Sequence, residues 1–570
     1  TLLDVIAGKK TAGYIEGSIL LNGYERDALS NSFHRFSGYC EQNDLHIMTS
    51  TVRESVEFAA INRLPRTLNE QQKISFAHKV IRKCMLEDQR NFMVSELTRE
   101  QKKRLTVAVE LCVNPSLLFL DEPTSSLDGV GAKQIMEVVR EQAQRGRTVI
   151  CTIHQPSSTI FNFFTHILLL RKGGEVVYFG EIGEQGKIME DYFSRNFGLK
   201  MKPNQNPADF ALDCASYQAS TSESSSSEQQ GDIAEVWRNS TEYQQVEEKV
   251  QAEMHLGPQD DGDLQDLENT YENFYASTLG TQLSTMLRRS WYGTYRMADA
   301  SWIKALKMLL QGLMVGLTYW QVGNGQSSVG LRASIFFIAL LVISFNAFTQ
   351  IPILLGERAA FYRERASGLY PSFVYLMSFV GVDLFWTISG MIMYAVPQYW
   401  MVGFKQEAGP FFFFLMEIIL AALVSTGFSQ AVSILSPNEE MASVLGGLPA
   451  IIFNILAGFF VPRESIPVYW IWGYYSSYTR YPLETLLINE IEGQTFECPD
   501  NEGAIPIPIN TTMGEAVKPY CRFETDESVF DSLDIDPDNK WPWFAVSIGF
   551  YTVFLMMGWL GLQFVKHINR

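Results

Sequence analysis

No C-x-x-C pair and no Cys/His cluster at zinc spacing occurs among the seven cysteines and seven histidines of this 570-residue chain. That excludes a structural zinc site and a thioredoxin-like motif. Basic residues are scarce: 45 Lys and Arg stand against 63 Asp and Glu, a formal net charge of −18. A chain so acidic lacks the positive face that a nucleic-acid backbone requires, so DNA and RNA are excluded as partners. There is no initiator methionine and no signal peptide; Thr1-Leu2-Leu3-Asp4 reads as the interior of a helix, and the chain is expected to be a fragment.

What is present falls into two unlike halves. The overall 46% hydrophobic and 19% charged residues average a soluble-looking stretch up to about residue 300 and a remainder dominated by long apolar runs. A membrane protein with a soluble front domain is therefore expected. Up to about residue 180, β-branched runs at 18–21, 116–120, 148–153 and 175–179 alternate with amphipathic stretches, the pattern of an α/β domain with a largely parallel sheet. Residues 1–215 are assigned to that domain. Residues 216–278 contain a Ser-rich run and an acidic run, and read as a polar linker.

Residues 279–570 are assigned to an all-α membrane domain. After an amphipathic lead-in helix over 279–295, six windows of spanning length are expected at 302–320, 333–355, 373–396, 411–435, 441–460 and 541–565. Basic residues fix the orientation: Arg288, Arg289, Arg296, Lys304 and Lys307 precede or open the first window, Arg358, Arg363 and Arg365 separate the second from the third, and Lys566 and Arg570 follow the sixth. All fall on one side, which is expected to be cytosolic. The loop 462–540 then faces outside. It is acidic and carries Cys498, Cys521 and the glycosylation sequon at Asn510, so the two cysteines are expected to pair and Asn510 to carry glycan. The other sequon, at Asn239, falls on the cytosolic side and should be unmodified. Within the spans, Asp383 and Glu417 either face the bundle interior or lie near a boundary, and both substrate contact and interhelical bonding are open to them.

The chemistry concentrates in one run, Ser116-Leu117-Leu118-Phe119-Leu120-Asp121-Glu122-Pro123. An apolar strand delivers two carboxylates to the sheet edge where ligands of parallel sheets bind. Asp121 there can hold Mg²⁺ through its water shell, and Glu122 can orient and polarise the water that attacks a γ-phosphate. Asp128 follows closely, His154 ends a second buried strand, and upstream Gln42 is able to reach metal and attacking water.

With GYCEQNDLH, LDEPTSSLD and CTIHQPSS in this order, the sequence resembles the ABC transporters, and the G-type, pleiotropic-drug-resistance subfamily in particular. Residues 357–365 (ERAAFYRER) are similar to that family's intracellular coupling segment, and Asn206-Pro207-Ala208-Asp209 to a landmark after its ATPase core. The resemblance implies a P-loop-type ATPase domain followed by six membrane helices, with ATP and Mg²⁺ as cofactors. Glu122 and His154 would be catalytic, with Gln42, Asp121 and Asp128 at the nucleotide. It also implies a second ATPase and membrane half as partner, the ATP lying sandwiched between the two.

Two departures stand out. Thr1, counted with the nucleotide-binding residues, matches the position after the Gly-Lys-Ser/Thr of the phosphate-binding loop, whose lysine is not in this sequence. The chain by itself is thus expected to be inactive. The signature, L-S-G-G-Q in the family, reads Leu97-Thr98-Arg99-Glu100-Gln101 here, with bulk and a carboxylate in place of bare backbone. Such a degenerate signature points to the C-terminal half of a full-length member. The expected activity is ATP-driven efflux of hydrophobic or amphipathic small molecules, xenobiotic or lipid, across the plasma membrane. Lipid translocation between leaflets and a nucleotide-gated channel or regulator are the alternatives.

Overall fold

In the computed structural model of the chain, residues 2–10, 13–26, 33–125, 127–216, 232–256, 274–297, 301–497, 505–507, 518–520, 523 and 525–567 are described. Thr1, Cys498, Asn510 and Cys521 lie outside the described residues. The chain divides into two units, Thr1–Gln282 with Arg363–Tyr370, and Leu283–Tyr362 with Pro371–Asn569.

The first unit is organised by β1 (Ser37–Cys40), α1 (Val52–Arg63), α2 (Arg99–Leu111), β2 (Leu117–Asp121), α3 (Gly129–Gln144) and β3 (Thr148–Thr152), with the strands parallel in the order β1-β2-β3. Successive side chains of a strand face opposite sides. Accordingly Leu117 and Phe119 join Phe33, Phe36 and Tyr39 in one cluster, while Leu118 and Leu120 join Val52, Val56, Leu105 and Ile135 in another. Both faces of β2 are covered, which is why it is an unbroken apolar run. Each helix starts on a side-chain cap: Thr51 and Thr98 form capping boxes with Glu54 and Gln101, and Asp128 caps α3. A buried Arg63–Glu110 ion pair at 2.8 Å ties α1 to α2.

The expected strand at 18–21 shrinks to Leu20–Leu21, and the one at 175–179 appears as β5 (Val176–Glu181), antiparallel to an unanticipated β4 (His166–Leu170). Part of the expected linker is folded. The helix α4 (Ile233–Arg238) buries Ile233 and Trp237 against Tyr178, Tyr192 and Phe193. Four apolar residues in six outweigh the polar composition around them. Another helix, Thr241–Leu256, follows directly.

In the second unit, apart from residues 279–282 and 363–366 that belong to the first, α5 (Leu279–Arg296) leads to α6 (Trp302–Thr318), α7 (Ser328–Ala347), α8 (Ile351–Ala366), α9 (Ser372–Val402), α10 (Ala408–Leu435), α11 (Glu439–Ile455), α12 (Arg480–Ile491) and α13 (Lys540–Phe564). Four helices among the described residues are long and apolar enough to cross a membrane: Ser328–Ala366, Ser372–Val402, Ala408–Leu435 and Pro537–Phe564. The expected spans at 302–320 and 441–460 are helices of 17 residues, shorter than the sequence suggested. The second of these ends at Ile455 with Leu456 as its C-cap, and the chain turns just beyond it at Gly458, in the left-handed region (φ 96°). The outer loop is also only partly a loop, since α12 is buried along its whole length against α7, α10 and α13.

Close helix contacts use small residues, as helices do where no water drives them together. A Cβ on Gly312 of α6 would stand 2.3 Å from the Tyr394 carbonyl oxygen of α9. Asp383 lies in the interior and bonds across helices: Lys304 Nζ reaches its Oδ1 at 3.4 Å, the Gln350 and Gln430 amides donate to it, and Thr387 donates from one turn along. Glu417 is fully buried on α10. Of the 411–414 aromatic run, Phe413 and Phe414 are buried in packing and Phe412 is exposed.

Candidate functional site

Parallel register places the C-terminal ends of β1, β2 and β3 along one edge of the sheet. Asp121 ends β2 directly opposite Thr152 of β3, and Cys40 pairs with Leu120 two residues before Gln42. Thr152 makes the edge rigid: its hydroxyl donates to Asp121 Oδ1 at 2.6 Å and accepts from the Glu122 backbone N–H at 3.0 Å. Glu122 itself sits in the left-handed region at φ 46°, a conformation that a glutamate adopts at a cost. The turn swings its carboxylate off the strand axis and over the sheet edge.

There the carboxylate is held from two sides. Gln42 Nε2 donates to Glu122 Oε2 at 2.9 Å, and His154 Nε2 stands 3.0 Å from Oε1. The His154 side chain is 83% exposed and that of Glu122 20%. Thus the imidazole lies on the solvent side of the acid, where an arriving phosphate could displace it. Gln42, the adjacent acids Asp121 and Glu122, and His154, three sites distant in sequence, are brought together. Asp121 and the Gln42 amide supply hard oxygens, the donors that Mg²⁺ takes alongside water and phosphate. No group of three His, Cys, Asp or Glu side chains able to hold a metal occurs among the described residues, so a Mg²⁺ ion here would rest mainly on water and nucleotide oxygens.

Asp128 is placed differently from the other acids, accepting from the Gly131 N–H at 2.7 Å as the cap of α3. The signature segment lies beside it. Leu97 is buried, Thr98 caps α2 through Gln101 N–H at 3.3 Å, and Arg99 is exposed. Glu100 turns toward Arg104, with which it is ion-paired, and lies against Gly131, where an added Cβ would meet its carboxyl carbon at 2.8 Å. Its negative charge is therefore compensated within the chain.

Sequence reasoning missed Thr152 and Lys103. The Lys103 ammonium, 1% exposed, donates to the Glu41 and Gln42 carbonyls at 3.1 and 2.9 Å and lies 3.8 Å from Asp44. It thereby links the helix after the signature to the segment bearing Gln42. The signal was available: Lys103 shares a helix face with Val107 and Glu110, all buried, where a solvated lysine is out of place. Nearby, buried His46 has Nε2 2.9 Å from Thr106 Oγ1 and Nδ1 3.4 Å from Arg363 Nη1. Burial first, then Arg363, Lys102 and Lys103, hold its pKa well below the ordinary histidine value.

A profile described as "ABC transporter" matches residues 1–125, and profiles described as "ABC-2 type transporter" match residues 281–491 and 154–261. The chain is 33% identical to ABC transporter G family member 2 of Dictyostelium discoideum, over all of this chain and 43% of that protein. It is 35% identical to ABC transporter G family member 38 of Oryza sativa subsp. japonica, over 97% of this chain and 35% of that protein. The chain thus spans less than half the length of these curated relatives. Its fold is an ABC-type ATPase domain followed by a helical membrane domain, similar throughout to G-family chains.

Proposed function

We propose, from an ABC-type ATPase fold joined to a helical membrane domain, that this chain is one half of an ATP-driven exporter of hydrophobic or amphipathic small molecules, drug-like or lipid. The half proposed is the C-terminal one of a pleiotropic-drug-resistance type protein in the plasma membrane, with its ATPase domain cytosolic. The observation that carries the reading is the clamp on Glu122. A carboxylate fixed at the end of a central parallel strand, between an amide and an imidazole, is built to order a water molecule for in-line attack on phosphorus.

In that reaction Glu122 accepts a proton from the attacking water, whose oxygen bonds to the γ-phosphorus as the bond to the bridging oxygen breaks and ADP leaves, and His154 moves from Glu122 Oε1 to an oxygen of the γ-phosphate. Gln42 keeps the carboxylate aligned, and Thr152 holds both Asp121 and the Glu122 backbone. Gln42 and Asp121 would hold Mg²⁺ through its water shell; when bound, the ion neutralises phosphate charge. The second half of the transporter supplies the opposing face of the nucleotide sandwich. The relatives, more than twice as long as this chain, have room for such a half. The segment Leu97 to Gln101, with Leu97 buried as its anchor and Thr98, Arg99, Glu100 and Gln101 toward the surface, faces the partner's nucleotide, and with Glu100 turned to Arg104 that second site binds ATP without hydrolysing it.

The test is Glu122→Gln in the full-length protein. The amide keeps the shape and the Gln42 contact but not the charge, so ATP should be bound and trapped while turnover falls roughly 10²-fold or more. Wild-type turnover in this variant would overturn the assignment. In the same preparation a Cys498–Cys521 disulfide and glycan on Asn510 are proposed for the outer loop.

A further inference from the structure

Within the second unit, α5, α6, the start of α8 and α9 enclose a cavity of about 480 Å³. Its walls are mostly apolar, with Ile303, Ile353, Phe379, Val382 and Trp386 among them, and Lys304, Lys307, Gln350 and Asp383 bring charge and amide into it. The size lies in the range of small-molecule sites.

The charges do not balance. Asp383 is already engaged by Lys304 at 3.4 Å and by Gln350, Thr387 and Gln430. Lys307 is half-buried and has no hydrogen bond or ion pair among the described residues. The cavity thus holds two ammonium groups and one carboxylate, and only Lys304 is paired with it. A lone cation in an apolar wall is costly unless an anion joins it. The surroundings say where such an anion would come from. Beside Lys304 and Lys307 on α6, Trp302, Ile303, Leu306 and Leu310 are all exposed, an apolar face suited to acyl chains rather than water.

We propose that this cavity binds an anionic phospholipid, its headgroup phosphate on Lys307 and the upper part of one acyl chain along Ile303, Ile353 and Phe379. The inference rests on the reading of α6 as a membrane helix but not on the ATPase assignment. A resident bilayer lipid and a transported anionic amphiphile share this chemistry, and they differ in whether ATP turnover empties the site.

The experiment uses the full-length protein in nanodiscs of phosphatidylcholine with or without phosphatidylserine, followed by native mass spectrometry of retained lipid, with ATP turnover measured in parallel. The wild type should retain phosphatidylserine selectively. Lys307→Gln should lower that retention roughly fivefold, the value of one basic contact with an anionic surface, and Lys307→Arg should restore it. Thr294→Trp, which puts a ring into the cavity from half-buried α5, should lower it independently. Loss of retained lipid during turnover identifies the transported source, and unchanged retention the resident one; either supports the site. Equal phosphatidylserine retention in wild type, Lys307→Gln and Thr294→Trp would overturn the proposal. So would displacement of the lipid by inorganic phosphate alone, which would make this a site for a free anion. Normal turnover beside either result leaves the transporter reading standing.

Discussion

The ammonium of Lys103 and the backbone carbonyl of Gln42 are 2.9 Å apart, in a pocket that excludes water from the lysine almost completely. Two carbonyls share this one cation, so the loop that carries Gln42 is tethered to α2 by charge-assisted bonds. Lys103→Met keeps the length and leaves both carbonyls short of a donor. Stability should fall by about 2 kcal/mol, read as a lower thermal midpoint, and ATP turnover should fall further than that loss of fold explains. Unchanged turnover at a temperature where the variant is folded would show that the tether does not position Gln42.

Thr152→Val tests the sheet edge. The valine has the same shape but no hydroxyl, so the Glu122 N–H loses its acceptor and Asp121 its donor. A stability loss of about 1–2 kcal/mol is expected, with turnover reduced about tenfold and ATP binding retained. Thr152→Ser should recover most of the activity, which a purely packing role for the methyl group would not allow.

Glu100→Ala addresses the signature. Because Glu100 is ion-paired with Arg104 on a partly exposed helix turn, its loss should cost about 0.5 kcal/mol or less and change turnover less than twofold. A drop as deep as that of Glu122→Gln would mean that both nucleotide sites hydrolyse, and the asymmetric reading would fail.

Acid should loosen the first unit through two histidines. Burial holds His34 at a pKa of about 4, with Arg63, Lys9 and Arg35 reinforcing it, and holds His46 well below its ordinary value. Both are neutral when folded, whereas the unfolded chain takes up their protons below about pH 6.5. Folding stability is therefore whole above that pH and falls between about 6.5 and 4, by up to about 1.4 kcal/mol per pH unit for each histidine. Urea unfolding of the full-length protein from pH 7.5 to 5 should show the decline, and His46→Gln should flatten it.

Gly312→Ala probes the membrane helices. Its new methyl would overlap the Tyr394 carbonyl, and neither backbone can yield cheaply. A loss of about 1–3 kcal/mol is expected, seen as earlier thermal unfolding in detergent. Gly330→Ala, on α7 with open space around it, serves as the control.

Much of the site was legible because each motif is local. The run from Ser116 to Pro123 announces a buried strand that ends in acids, and the segments holding Gln42 and His154 carry their own residue types. Folding adds the distances among them. The membrane half was legible as apolar windows, yet α12, too short to span, could not be told from outer loop, and α4 was hidden in polar surroundings. In both cases the deciding quantity is burial against residues far along the chain.

The sequence by itself determined which residues can do chemistry and which segments must leave water, because ionisable groups and apolar runs act through composition and spacing alone. The tertiary structure decided that Thr152 bridges Asp121 and Glu122, that Glu100 is spent on Arg104, and that Lys307 is left facing a cavity without an acid of its own. Hydrogen bonds and ion pairs act over about 3 Å, a distance that strand register and helix packing set and that spacing along the chain does not encode.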